Sequence, residues 1–143
     1  MAELEEKIQD TYCLQAANEE DMKKQNEIQK LLQKGREDPN IAAVLLYGSR
    51  ARSEETPFSD VDVCLISRKK PSIQEKLKYL EYDLDLHFFR DLPLYIRKRV
   101  IQEGKILLSK DDPFLYDLAY RTIRDFEDFK PYYYQYLKAV ESA

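Results

Sequence analysis

Four stretches of the chain have the apolar pattern of β-strands. The first, at 41–47, is the continuous run Ile-Ala-Ala-Val-Leu-Leu-Tyr, which predicts a buried strand. A second run at 61–67 follows a polar loop, a third occupies 82–89, and a short fourth lies at 105–108. We therefore predict four strands separated by segments of a different periodicity.

The N-terminal segment has a helical composition. Residues 3–34 are rich in Glu, Gln and Lys and contain no Gly or Pro, and Gly35 is expected to end the helix. The second half has an apolar face made of Met22, Ile28, Leu31 and Leu32. The first half has fewer apolar residues and is expected to be a separate helix that breaks near Asn18. We therefore assign residues 1–22 to a helical N-terminal extension that needs a partner surface.

Three further helices are predicted between and after the later strands. A short one follows Ser72, with apolar residues at Ile73, Leu77 and Leu80, and another runs from 92 to 103 and ends at Gly104. A long C-terminal helix extends over about 114–140, with Asp112-Pro113 as its N-cap and first-turn proline and a kink or break before Pro131. Strands that alternate with helices indicate an α/β (α+β) domain with helices on one or both faces of the sheet.

The chemistry suggested by the sequence lies between the first two strands. Gly48-Ser49 follows the first strand, and Asp60-Val61-Asp62 opens the second after ten intervening residues. Alternation along a strand places Asp60 and Asp62 on one face, where two close negative charges favour a cation such as Mg²⁺. A Gly-Ser turn can bring N–H groups and a hydroxyl close to phosphate oxygens. The pattern predicts a site for a metal-bound nucleoside triphosphate.

This pattern resembles that of the minimal nucleotidyltransferases, small members of the DNA polymerase beta-like superfamily. Their motif is Gly-Ser, ten residues, Asp-x-Asp, and a third Asp on a later strand. The similarity covers roughly residues 24–140. It implies the polymerase beta-like fold at 23–143, with a small mixed sheet flanked by helices. It also implies ATP as substrate, two Mg²⁺ ions held by Asp60, Asp62 and a third Asp, and a triphosphate held by Gly48 and Ser49.

The third carboxylate has two candidates in the run Tyr82-Asp83-Leu84-Asp85-Leu86-His87. Asp85 matches the family's apolar-Asp-apolar triplet better than Asp83 does, and its family role is to bind metal near the attacking oxygen. His87, the single histidine, is expected on the same strand face. It either contacts the nucleotide, carries a proton, or makes a structural hydrogen bond.

Two arginines and one departure from the family pattern follow Ser49. Arg50 and Arg52 can reach a triphosphate through bidentate hydrogen bonds, although a solvated surface position is equally compatible with the sequence. The family usually has Gly where this chain has Ser53, which is followed by the acidic pair Glu54-Glu55. This departure puts the rate of catalysis in question but removes no metal ligand.

Composition limits the alternatives. With 143 residues, a net charge of −4 and a pI near 5.2, the chain is expected to be a cytoplasmic protein with no strongly basic surface for direct nucleic-acid binding. The N-terminus has no apolar core region of the kind expected in a signal peptide, no apolar run is long enough to span a membrane, and Cys13 and Cys64 show no zinc spacing. The C-terminal aromatic cluster is expected in the core or at a surface for a partner or for self-association: Phe126, Phe129, Tyr132, Tyr133, Tyr134 and Tyr136.

The resemblance implies a function as well as a fold. Similar proteins are antitoxins that transfer AMP (AMPylation) to a tyrosine of a HEPN-domain toxin. One alternative is a non-catalytic module that neutralises a HEPN partner by contact alone, which Ser53 and Glu54-Glu55 favour. Another is transfer to a small molecule, for which the chain has little room. Survival of partner binding or toxin neutralisation after loss of Asp60, Asp62 and Asp85 would favour the binding module over the enzymatic hypotheses.

Overall fold

The computed structural model describes residues 19–47 and 62–142. Its helices are α1 (Glu19–Glu37), α2 (Ile73–Tyr79), α3 (Leu94–Glu103) and α4 (Asp112–Ser142), with a 3₁₀ turn at Phe89–Asp91. Its strands are β1 (Ile41–Tyr47), β2 (Asp62–Ser67), β3 (Asp85–Phe88) and β4 (Lys105–Ser109). The predictions for residues 1–18 and 48–61 lie outside the described residues, so the N-terminal extension stays a prediction.

The four strands form one mixed sheet in the order β3-β2-β1-β4. β1 pairs antiparallel with both β2 and β4, whereas β2 and β3 are parallel. All seven residues of β1 are buried, which agrees with its continuous apolar sequence. The predicted α/β class with a small mixed sheet flanked by helices is therefore confirmed.

Helices cover both faces of the sheet and create two cores. On one face, Ile28, Leu31 and Leu32 of α1 pack against alternate residues of β1 and β2, such as Val44 and Leu65. On the other face, α3 and α4 cover the remaining positions, which include Leu45, Cys64 and Ile66. No helix among the described residues is long and apolar enough to cross a membrane.

The predicted end of α1 at Gly35 is wrong, because the helix continues to Glu37 and Gly35 lies buried within it. A Cβ atom at Gly35 would lie 3.2 Å from Leu108 Cδ2, so the glycine allows close approach of α1 to the sheet. The predicted third strand is also too long. It begins at Asp85 and ends at Phe88, since Tyr82–Leu84 form a bend and Phe89 enters the 3₁₀ turn.

The cap and the continuity of α4 differ from the prediction. Asp111, not Asp112, caps the helix by accepting a hydrogen bond from the Phe114 N–H at 3.1 Å. The helix is not broken before Pro131, which lies inside it at an exposed position where water can reach the freed carbonyl. Packing also holds the second half in place, because Tyr133 stacks on Tyr95 of α3 with ring centroids 5.7 Å apart.

The predicted short helix α2 is present, but its apolar residues do not enter the core. Ile73, Leu77 and Leu80 are 74%, 57% and 71% exposed, whereas Tyr79 is buried. The Tyr79 hydroxyl donates a 2.7 Å hydrogen bond to Asp38 Oδ2, at the end of α1. Burial of one aromatic ring therefore determines which side of α2 faces the protein.

Lys110 connects β4 to the C-terminal end of α1. Its Nζ donates hydrogen bonds of 2.7 Å to the carbonyls of both Gly35 and Asp38 and a longer one, 3.4 Å, to that of Arg36. These carbonyls lie at or after the last turn of α1, where no intrahelical donor is available. Partial burial lowers the pKa of Lys110, but three acceptors hold its amine in place.

Substitution of Lys110 by Met should destabilise the protein by about 2 kcal/mol, because part-buried carbonyls lose their donor. The free energy of unfolding, measured by urea titration with circular dichroism, tests this. Lys70→Met is the matched control, since Lys70 is exposed and should tolerate the change within about 0.5 kcal/mol. Equal stability of the two variants would contradict the capping role.

Candidate metal and nucleotide site

The register of the sheet brings Asp62 and Asp85 together. Asp62 begins β2 and Asp85 begins β3, and their Cα atoms are direct partners in the parallel ladder. His87, two residues beyond Asp85, lies on the same strand face and pairs with Cys64. Ligand atoms of Asp62, Asp85 and His87 all lie within 4.8 Å of one another, a spacing that could hold a metal ion.

His87 contacts both the carboxylate pair and the end of β1. Its Nε2 lies 3.1 Å from Asp85 Oδ1, and its ring meets the edge of the Tyr47 ring with centroids 6.4 Å apart. Both His87 and Asp85 remain partly open to solvent, with 41% and 66% of their side chains exposed. The imidazole can therefore orient Asp85 without closing access to it.

The charges of the cluster perturb the acidity of its members. A hydrogen bond with Asp62, and then the neighbouring His87, lower the pKa of Asp85 below its ordinary value. Asp85 is consequently available as an ionised oxygen donor at neutral pH.

Tyr47 is a site residue that the sequence patterns did not single out. It ends β1 as the direct partner of Asp62, and its side chain is almost completely buried. Burial, followed by the negative charges of Asp62 and Asp85, raises the pKa of its phenol. Tyr47 thus stays protonated and supports His87 beside the carboxylates. Its position directly before Gly48 is the signal that could have identified it.

Asp83 lies apart from the cluster of Asp62, Asp85 and His87. It precedes β3, and its backbone is held against α1, where the Lys24 amine donates to its carbonyl at 2.9 Å. The Asp83 N–H donates in turn to Glu27 Oε2 at 3.4 Å. Of the two candidates for the third carboxylate, Asp85 is therefore the one placed beside Asp62.

The remaining predicted site residues lie outside the described part of the chain: Gly48, Ser49, Arg50, Arg52 and Asp60. The described residues that flank them, Tyr47 and Asp62, are direct partners in the antiparallel ladder of β1 and β2. The chain therefore leaves β1 after Tyr47 and enters β2 at Asp62, and Asp85 lies at this same end of the sheet.

The donor set of the described residues fits a divalent cation. Two carboxylates on neighbouring strands supply oxygen ligands and negative charge, and solvent access leaves room for water and phosphate oxygens. Magnesium is commonly bound by one or two carboxylates together with substrate phosphates. The arrangement suits phosphoryl or nucleotidyl transfer, in which a cation neutralises phosphate charge.

Comparison with known proteins agrees with this chemistry. A protein of Methanocaldococcus jannaschii named as a candidate protein adenylyltransferase, MJ1547, is 35% identical over 71 residues, which are 50% of this chain. The match spans 58% of that relative's length.

Similar folds occur in solved toxin–antitoxin structures. A toxin–antitoxin complex with AMP-PNP contains a chain that matches with a TM-score of 0.62 and 22% identity, covering 81% of this chain and 97% of the other. A complex of a tri-AMPylated Shewanella oneidensis HEPN toxin with an MNT antitoxin matches with a TM-score of 0.59 and 20% identity, covering 84% and 97%. At these identities the structures establish the shared fold.

The family is established by the sequence itself. Residues 26–113 match the family described as polymerase beta, nucleotidyltransferase, and this segment contains Asp62 and Asp85 together with the strands that position them. The chain therefore belongs to the polymerase beta-like nucleotidyltransferase family.

Proposed function

We propose that this protein is a Mg²⁺-dependent nucleotidyltransferase that transfers AMP from ATP to a hydroxyl of a protein acceptor. The observation that supports this most directly is the pairing of Asp62 with Asp85 at one edge of the sheet, in a chain of the nucleotidyltransferase family. Clustered carboxylates contribute nothing to stability that apolar residues would not, so their proximity favours a role in cation and phosphate chemistry.

Asp62 and Asp85, joined by Asp60, are the proposed ligands of two Mg²⁺ ions, and Gly48, Ser49, Arg50 and Arg52 are the proposed triphosphate contacts. When bound, Mg²⁺ neutralises phosphate charge on the attacking and leaving sides of the reaction. The acceptor oxygen forms a bond to the α-phosphorus, the bond to the pyrophosphate oxygen breaks, and the hydroxyl proton leaves.

Asp85 is the proposed acceptor of that proton. Its lowered pKa keeps it ionised, and its exposed side chain can accept a hydrogen bond from an incoming hydroxyl. His87, at 3.1 Å, fixes the carboxylate and offers a path for the proton to solvent. Tyr47 remains protonated and serves to position the imidazole.

The proposed acceptor is a tyrosine of a HEPN-domain toxin, and this protein is the antitoxin. The solved structures with the same fold include a tri-AMPylated HEPN toxin bound to an MNT antitoxin, and a toxin–antitoxin complex with AMP-PNP supports ATP as the nucleotide. α4 also has a surface suited to a protein partner, because several of its tyrosines are at least half exposed: Tyr116, Tyr120, Tyr132, Tyr134 and Tyr136.

Metal binding should distinguish Asp85 from Asp83. Asp85→Asn removes a charged ligand oxygen and should weaken Mn²⁺ binding at least tenfold, whereas Asp83→Asn should leave it unchanged. Titration calorimetry with Mn²⁺ and a non-hydrolysable ATP analogue measures both variants, which differ by only two sequence positions. A loss in Asp83→Asn as large as that in Asp85→Asn would contradict the assignment.

Transfer should depend on the same carboxylate pair. Wild-type protein, α-phosphate-labelled ATP and Mg²⁺ should label a protein in a lysate of the native host. Asp62→Asn should lower labelling more than 100-fold, and Asp83→Asn should retain it. Mass spectrometry of the labelled band should identify AMP on a tyrosine.

Two outcomes would overturn this function. Equal labelling by the wild type and by Asp62→Asn would contradict the assignment of Asp62 to the catalytic site. Absence of any label, together with tight binding of a HEPN protein that survives Asp62→Asn, would favour neutralisation by contact alone.

A further inference from the structure

A second charged site lies beyond the opposite end of β2. A cleft of about 720 Å³ opens between the end of β2, the 3₁₀ turn, α3 and α4. Its charged lining, within the described residues, consists of five arginines and one carboxylate: Arg68, Arg90, Arg97, Arg121, Arg124 and Asp125. This concentration of positive charge contrasts with the net charge of −4 of the whole chain.

Only part of this charge is neutralised by neighbouring carboxylates. Arg68 forms a 2.6 Å ion pair with Asp111, and Arg121 forms a 3.0 Å pair with Asp117. Arg90 donates to the Arg68 carbonyl at 2.7 Å, which orients its guanidinium without cancelling its charge. The cleft therefore retains guanidinium groups that can bind an anion.

Arg97 gives the cleft an unsatisfied donor. Its Nε is buried and makes no hydrogen bond, which is unusual because buried polar groups are nearly always paired. Arg124 on the facing helix α4 is exposed and forms no ion pair within the described part of the chain. An anion placed between the two helices would lie in a cleft that both arginines line.

The cleft is separate from the carboxylate site. Ile66 in its floor lies four residues along β2 from Asp62, a distance of about 13 Å at the usual rise of a strand. The floor is apolar and aromatic, formed by Ile66, Phe89, Phe114 and Leu118. The cleft thus combines a charged rim with a floor that could accept the uncharged part of a ligand.

We propose that this cleft binds a phosphate-bearing small molecule at a site independent of Asp62 and Asp85. Arginine forks match phosphate oxygens bidentately, and the volume lies within the range of small-molecule pockets. An extended nucleic-acid surface is disfavoured, because the basic residues converge on one concave cleft in an acidic protein. The proposal does not depend on the nucleotidyl-transfer function.

The test uses inorganic tripolyphosphate as the probe in buffer with EDTA, where the carboxylate pair repels polyanions. Titration calorimetry on the wild-type protein should detect binding that weakens as salt is added. Arg97→Gln/Arg124→Gln should weaken it at least tenfold. Arg99→Gln is the matched control, because Arg99 lies on α3 but pairs with Glu103 and does not line the cleft.

A further variant keeps the test independent of folding. Arg124 is exposed, so Arg124→Gln alone should preserve the circular dichroism spectrum and still weaken binding.

Three results would overturn the proposal. One is the absence of binding by the wild type, and another is equal affinity in wild type and the arginine variants. The third is binding of single-stranded RNA, but not tripolyphosphate, that requires Arg97 and Arg124, which would assign the cleft to nucleic acid.

Discussion

The burial of β1 on both faces is the constraint on which the rest of the fold depends. A strand that is apolar at every position needs partners on both edges and helices on both sides. β2 and β4 pair with the two edges of β1. α1 packs on one face of the sheet, and α3 and α4 pack on the other. Because β1 is central, its end at Tyr47 determines where β2 can begin, and hence where Asp62 lies.

The carboxylate pair is the part of this fold that conflicts with stability. Two negative charges at neighbouring ladder positions repel each other unless a proton or a cation lies between them. The protein limits this cost by leaving the pair partly exposed and by placing His87 against Asp85. The negative potential of the pair is not fully cancelled, because the charges of Asp62 and Asp85 still raise the pKa of the neighbouring Tyr47. Such a residual conflict is expected where a site is arranged for a ligand.

The sequence predicts elements better than it predicts their contacts. The apolar runs define β1 and β2 because these signals are local, and Asp85, which the apolar-Asp-apolar triplet favours, lies beside Asp62 in the ladder. Gly35 and Pro131 differ from their sequence predictions because tertiary packing bears on both positions: Gly35 lies close to Leu108, and Tyr133 beyond Pro131 stacks on Tyr95. The exposed face of α2 has the same cause, since one buried ring, Tyr79, outweighs three apolar side chains.

The arginine cleft shows the limit of sequence patterns more clearly. Its arginines are spread from position 68 to 124 and belong to four different parts of the fold, so no single window of sequence contains the five of them. The net charge of −4 even suggests that the protein repels anions. Electrostatic interactions between exposed charges are screened over about 8 Å in physiological salt, so local placement, not net charge, decides what each region attracts. With carboxylates at one end of β2 and guanidinium groups beyond the other, the proposed cation and anion sites lie at opposite ends of one strand, on one face of the sheet.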